Sequence, residues 1–157
     1  MASGTRDIKR KIRSVNSTMQ ITKAFELVST AKLKRARDRM DITKPYFETI
    51  QEAVQDILSS DKSIKSKYIS NTFGSKPLYI VVTSDRGLCG GYNVNAIKKA
   101  LESGPSKTDA KFIVIGKKAY DILKQAGYNV VDSFLYISEK PEYIHAAQVA
   151  KAAISLF

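Results

Sequence analysis

From Thr5 to Leu58 apolar residues recur at alternating spacings of four and three, a rhythm that predicts one very long helix. Ile8, Ile12, Val15 and Met19, then Leu33, Ala36 and Met40, then Phe47, Ile50, Val54 and Ile57 fall on a single heptad stripe. A helix of about fifty residues at about 1.5 Å each reaches roughly 75 Å, beyond the span of a domain this small. It must project, and its stripe calls for a partner. Between Met19 and Leu33 the same count lands on Thr22, Glu26 and Ser29, while Ile21, Ala24, Phe25, Val28 and Ala31 carry the apolar character on another face. Either a local stutter interrupts one coiled coil, or two different neighbours are served at once. Ser3 or Thr5 can cap the helix, and Asp7 suits its first turn. Pro45 removes one backbone hydrogen bond, so a bend near residues 41–45 is expected; because the stripe resumes in register at Phe47, the helix should not end there.

Residues 59–77, rich in Ser and Lys with Asn71, Gly74 and Pro77, read as a solvated linker. Beyond it the pattern alternates. Leu78 to Thr83 and Lys111 to Gly116 are apolar, β-branched runs of the kind buried on both faces of a sheet, and Tyr128 to Ile137 supplies a third strand. Asn93 to Leu101, capped by Asn93, reads as a helix with Ile97, Ala100 and Leu101 inward; Lys117 to Gln125 reads as another with Ala119, Ile122 and Leu123 inward, closed near Gly127. Glu142 to Leu156 is an Ala-rich helix with Ile144, Ala147, Ala150 and Ile154 inward. The order predicts an α/β fold: a coiled-coil shaft over 1–58, a linker over 59–77, and a small three-layer, Rossmann-like domain with a mainly parallel sheet over 78–157.

The net charge of +11 matters through its distribution. Arg6 to Arg39 carry +8, whereas Met40 to Ser60 carry −3, so the helix is a polarised rod suited to an acidic surface. No apolar run approaches the ~18 residues of a membrane span, and the amino terminus has no secretory pattern. The single Cys89 cannot form an internal disulfide, which fits a reducing compartment; a bacterial cytosolic setting is expected.

Thr83-Ser84-Asp85-Arg86-Gly87-Leu88-Cys89-Gly90-Gly91-Tyr92-Asn93 is a glycine-rich turn between strand and helix, where an α/β sheet places ligands. It matches neither GxGxxG nor the P-loop pattern, so a structural turn competes with nucleotide binding. Cys89 could be a nucleophile at a helix start, but the only histidine, His145, lies in the last helix. No Cys/His/Asp cluster surrounds His145 for a metal, and Asp85 with Arg86 could be a catalytic pair or simply a local salt bridge or turn. The residues therefore suggest a non-enzymatic chain without cofactor or metal. The cluster Lys32-Leu33-Lys34-Arg35-Ala36-Arg37-Asp38-Arg39 could be a solvated face, a surface for an acidic protein, or a nucleic-acid arm; Leu33, Ala36 and Met40 keep the coiled-coil beat through it.

Two separated stretches resemble the gamma subunit of the F-type ATP synthase. Arg6-Asp7-Ile8-Lys9-Arg10-Lys11-Ile12-Arg13-Ser14-Val15, with Gln20 to Val28 and Ala31-Lys32-Leu33, is similar to that family's amino-terminal helix, and Thr83 to Asn93 to its glycine-rich loop. The resemblance implies a rotor shaft, paired antiparallel with a carboxyl-terminal helix inside a hexamer of alpha and beta subunits and coupling proton flow to ATP synthesis or hydrolysis. It implies an α/β domain against the epsilon subunit and the c-subunit ring, at the cytoplasmic face of a bacterial plasma membrane. Membrane contact would come only through the complex, with no nucleic-acid partner. By position, Lys9, Arg10 and Arg13 lie toward the deep end of the cavity, while Lys23, Phe25, Lys32, Arg35 and Arg37 would meet beta's mobile acidic segments. Asp85, Arg86, Gly87, Gly90 and Gly91 would form the structural loop. Phe25 stands where the family commonly carries Met, a more adaptable side chain. The family's last strands and carboxyl-terminal helix have no counterpart here, so the reading is a fragment, or one of two chains, rather than an intact subunit. A basic nucleic-acid-binding protein and an α/β nucleotide-binding module are the rival readings.

Overall fold

The computed structural model describes residues 2–60, 64, 66, 68, 76–104 and 106–156, and the chain divides into two compact units, Met1–Ser70 and Asn71–Phe157. In the first, α1 runs unbroken from Ala2 to Ser60. At about 1.5 Å per residue its path is about 88 Å. The helix passes Pro45 without terminating. Hydroxyl groups along it fold back onto the preceding turn: Thr18 donates to the Ser14 carbonyl at 3.0 Å, Thr22 to Thr18 at 2.9 Å and Thr49 to Pro45 at 2.9 Å. These bonds satisfy side chains that have no other element beside them among the described residues of this unit. α1 includes Ser59 and Ser60, two residues beyond the expected shaft; most of the expected linker lies outside the described residues.

The second unit is built on three parallel strands in sequence order: β1 (Leu78–Val82), β2 (Lys111–Ile115) and β3 (Asn129–Phe134). Parallel neighbours require crossovers, supplied by α2 (Tyr92–Leu101) and α3 (Lys117–Gln125), and α4 (Tyr143–Leu156) follows β3. Register pairs Tyr79 with Phe112 and Val81 with Val114, which puts these side chains on one face. There they join Ile97 of α2, Ala119 and Leu123 of α3 and Val130 of β3 in the core. The Phe112 ring stacks on Tyr79 at 5.1 Å and meets the edge of Tyr128 at 5.3 Å. A register shift between Phe112 and Ile113 leaves Val131 unmatched and re-aims β3.

The opposite face differs from expectation. β2 is covered on both sides, with Ile113 fully buried, but Ile80 and Val82 of β1 remain 48% and 49% exposed. Their apolar run is a poor guide because, among the described residues, β1 has one strand neighbour and the central strand has two. Ile122 is also exposed, since Ala119 and Leu123, four residues apart, already define the buried line of α3. In α4 the expected Ile144, Ala150 and Ile154 are exposed and Ala147 is half-buried as expected; His145, Val149, Ala152, Ala153 and Leu156 are half-buried as well. β3 is shorter than the run that predicted it.

Phe112→Ala is expected to destabilise the second unit by about 3–5 kcal/mol, because a fully buried ring in contact with two others leaves a cavity. A urea melt followed by near-UV signal from the tyrosines measures the loss.

Candidate functional site

Two surfaces carry the residues singled out from the sequence, one in each unit. On α1, Lys9, Arg10, Arg13, Lys23, Phe25, Lys32, Arg35 and Arg37 are all exposed. A helix turns about 100° per residue, so Lys9 and Arg13 share a side while Arg35 and Arg37 diverge by about 200°. The basic charge therefore wraps the rod. Arg10 pairs with Asp7 at 3.2 Å, one turn away, an exposed pair of small energetic weight. The heptad stripe is exposed as well, and Ile21, Phe25, Leu27 and Val28 continue the apolar surface on other sides where the stripe turns polar.

The second surface lies at the carboxyl edge of the sheet. Thr83 continues the β1 ladder by donating its N–H to the Ile115 carbonyl at 2.8 Å, and its hydroxyl oxygen accepts the Ala119 N–H at 2.9 Å. This draws the start of α3 onto the end of β1. The approach is close enough that only glycine fits at 116: its φ is 98°, and an added Cβ would stand 2.1 Å from the Thr83 carbonyl oxygen.

Asp85 follows. Its Oδ1 accepts the Lys117 N–H at 2.9 Å and the Tyr136 N–H at 2.9 Å, and its Oδ2 accepts the Ser138 hydroxyl at 2.6 Å. The carboxylate thus joins the β1 loop, the amino end of α3 and the loop after β3. Burial acts to raise its pKa, but the Ser138 hydroxyl, the Tyr136 and Lys117 amides and the charge of Arg86 together outweigh it and hold the group below its ordinary 3.8. Arg86 itself turns outward to Glu139 at 3.3 Å. The Lys117 ammonium sits 3.9 Å from Asp121.

The rest of the loop is closed by Asn93. This residue was expected to cap α2; instead Gly91 is the N-cap, without a side-chain bond, and Asn93 lies buried inside the first turn. Its Oδ1 accepts the Ser84 N–H at 3.0 Å, while its Nδ2 donates to Ser84 Oγ at 2.9 Å and to Cys89 Sγ at 3.0 Å. The Ser84 hydroxyl in turn donates to the Arg86 carbonyl. Gly90 has φ 58° and Leu88 φ 63°; Leu88 stands fully exposed at the tip. Among the described residues no buried side-chain N or O lacks a partner.

This arrangement bears on the chemistry weighed earlier. Cys89 is half-buried beside Ser84 and Asn93, neither of which is a base. His145 accepts the Glu142 N–H on its Nδ1 at 3.1 Å, tying the first turn of α4. No group of three or more His, Cys, Asp or Glu able to hold a metal occurs among the described residues. Asp85 and Arg86 take different partners, so they do not form a pair. Sequence reading placed Thr83, Asp85, Arg86 and the glycines in one loop but missed the part that Gly116, Tyr136 and Ser138 play in holding it. A glycine directly between the second strand and its helix was the available signal for the close approach at 116.

Comparison with known proteins gives one family. The family described as ATP synthase matches residues 4–157. The chain is similar to the ATP synthase gamma chain of Alkaliphilus metalliredigens, at 45% identity over all 157 residues and 54% of that relative. It is 37% identical over its whole length to the sodium ion specific ATP synthase gamma chain of Acetobacterium woodii, covering 52% of it. It is also 37% identical to the gamma chain of Brevibacillus brevis, with all of this chain and 56% of the relative covered. The chain spans about half the length of these relatives.

Two outcomes test the loop geometry. Gly116→Ala is expected to destabilise the second unit by at least about 1–3 kcal/mol through the positive φ alone, with the clash added, measured by thermal melting. Because the Asp85 pKa is depressed, its stabilisation is complete above 3.8 and is lost as pH falls through the lower folded value. Asp85→Asn should remove that acid-side step from a plot of stability against pH, with Arg86, Lys117 and Glu139 unchanged as neighbouring charges.

Proposed function

The chain belongs to the ATP synthase gamma-chain family, and on that premise we propose that α1 is the amino-terminal part of a central rotor shaft. The observation that carries this reading is the surface of α1: an exposed apolar stripe that changes sides between Met19 and Leu33, wrapped by basic side chains. One side suits an antiparallel helical mate, and the other sides suit a surrounding sleeve with acidic segments. That sleeve is the hexamer of alpha and beta subunits, with Lys9, Arg10 and Arg13 toward its deep end and Lys23, Phe25, Lys32, Arg35 and Arg37 further along. A rotating bearing works through contacts that can be exchanged. Exposed ion pairs worth roughly 0–1 kcal/mol each allow that, whereas buried pairs would lock one position.

In this reading the second unit meets the epsilon subunit and the c-subunit ring, and the subunit is peripheral on the cytoplasmic face of a bacterial membrane. No helix among the described residues is long and apolar enough to cross a membrane. The shaft transmits torque without catalysing the reaction or touching the transported ion. The coupling ion, a proton in the reading from sequence, is therefore a property of the ring rather than of these residues; one relative is named as sodium ion specific.

Co-purification with alpha, beta and epsilon subunits is the expected result for a gamma chain carrying this sequence, and failure to assemble would overturn the reading. Replacing Lys23, Arg35 and Arg37 together by Gln should leave the helix content unchanged while lowering ion-driven ATP synthesis by the assembled enzyme severalfold. Normal synthesis by the triple variant counts against these residues as the contact.

A further inference from the structure

Three donors from two separate segments converge on one point at the carboxyl edge of the sheet: the Lys117 N–H at the start of α3, and the Tyr136 N–H and Ser138 hydroxyl in the loop after β3. In a parallel α/β sheet this edge, with backbone amides and a helix start around it, is where phosphates and carboxylates of ligands are held. We propose that Asp85 is a built-in anion that fills this phosphate-type cradle, closing the sheet edge to free anions and fixing the glycine-rich loop as a rigid projection. The inference is independent of the rotor reading.

Four observations support it. Both carboxylate oxygens are used, at 2.9, 2.9 and 2.6 Å, which is the pattern of a bound anion rather than of a side chain grazing a helix end. The residue is only 9% exposed, so the donors it satisfies are withheld from solvent anions. The nearby cations make their ion pairs with other carboxylates, Arg86 with Glu139 and Lys117 with Asp121, so the groups that touch Asp85 are amide and hydroxyl dipoles, to which the charge of Arg86 adds. Finally, the loop glycines have uses of their own: Gly90 takes φ 58° and serves the turn, and a Cβ at Gly91 would stand 3.3 Å from the Asn95 side chain.

Asp85 is then a positioning residue. It holds the segment from Thr83 to Asn93 from below while Asn93 closes it from within, and the exposed Leu88 is carried at a fixed place.

The experiment replaces the anion. Asp85→Ala in the 157-residue chain is titrated with sodium formate and with inorganic phosphate against chloride at matched ionic strength, following the melting temperature and the amide resonances of Lys117 and Tyr136. The variant should melt below the wild type, recover most of the loss saturably as formate or phosphate enters the vacated cradle, and shift those two amides. The wild type and Asp85→Asn, whose side chains still fill the site, should show neither response. Equal gains in all three chains would reveal surface screening only and overturn the proposal. So would an Asp85→Ala chain that gains nothing over chloride, or one that stays unfolded at every anion concentration while Asp85→Asn folds.

Discussion

Apolar surface leaves water only against another apolar surface, and the two units meet this constraint in opposite ways. In the second unit Phe112, Val114, Ala119 and Leu123 are fully buried among one another, so strands and helices supply each other's cover. In α1 the stripe from Ile8 to Ile57 stays exposed along its length. A single helix cannot turn its apolar side inward on itself, whatever its propensity. The first unit is thus a presented surface, and the second closes a core on one face of its sheet while Ile80 and Val82 stay exposed on the other.

The scaffold's parallel order has a consequence at its edge. Every strand ends on the same side, so the connections after β1, β2 and β3 gather there and must satisfy their backbone groups together. Thr83 and Gly116 bring two of them into contact, and Asp85 ties in the third. An amide at 85 would keep one acceptor oxygen for the two N–H groups but not the one Ser138 uses, an alanine would leave all three donors without an acceptor, and a longer side chain would not seat in the same space. The depressed pKa of Asp85 reflects this work: hydrogen bonds and a neighbouring positive charge outweigh the burial that opposes ionisation.

Family membership and physics meet most directly on α1. A coiled-coil stripe alone would describe one partner, but the polar run at Thr22, Glu26 and Ser29 and the apolar residues beside it describe more than one. Basic side chains wrapped around the rod suit screened contacts that can be made and released. The glycine-rich loop is of another kind, since its polar groups are consumed internally and its outward features are Leu88 and the paired Arg86.

Much of the fold was legible because its signals are local. The four-three spacing specified α1 without any knowledge of a neighbour, and the apolar runs at 78–83 and 111–116 specified two strands that pair in parallel as the alternation of elements requires. Burial was less legible. Ile80 and Val82 are as apolar as Ile113, yet β1 is an edge strand and β2 is central, and no residue in β1 encodes that difference. In α4 Ala147 is half-buried as expected but Ile144, Ala150 and Ile154 are not, because an Ala-rich helix offers several apolar lines of similar strength and only docking selects among them.

By itself, then, the sequence determined the long helix, its polarised charge, the α/β alternation and the loop that carries Asp85, all properties of neighbours within a few residues. Tertiary structure alone decided what that loop does. The partners of Asp85 lie 32, 51 and 53 residues away, and Gly116 meets Thr83 only after β1 and β2 pair. A carboxylate's partners are set by distance in space, and only the closed sheet brings those segments within hydrogen-bonding reach.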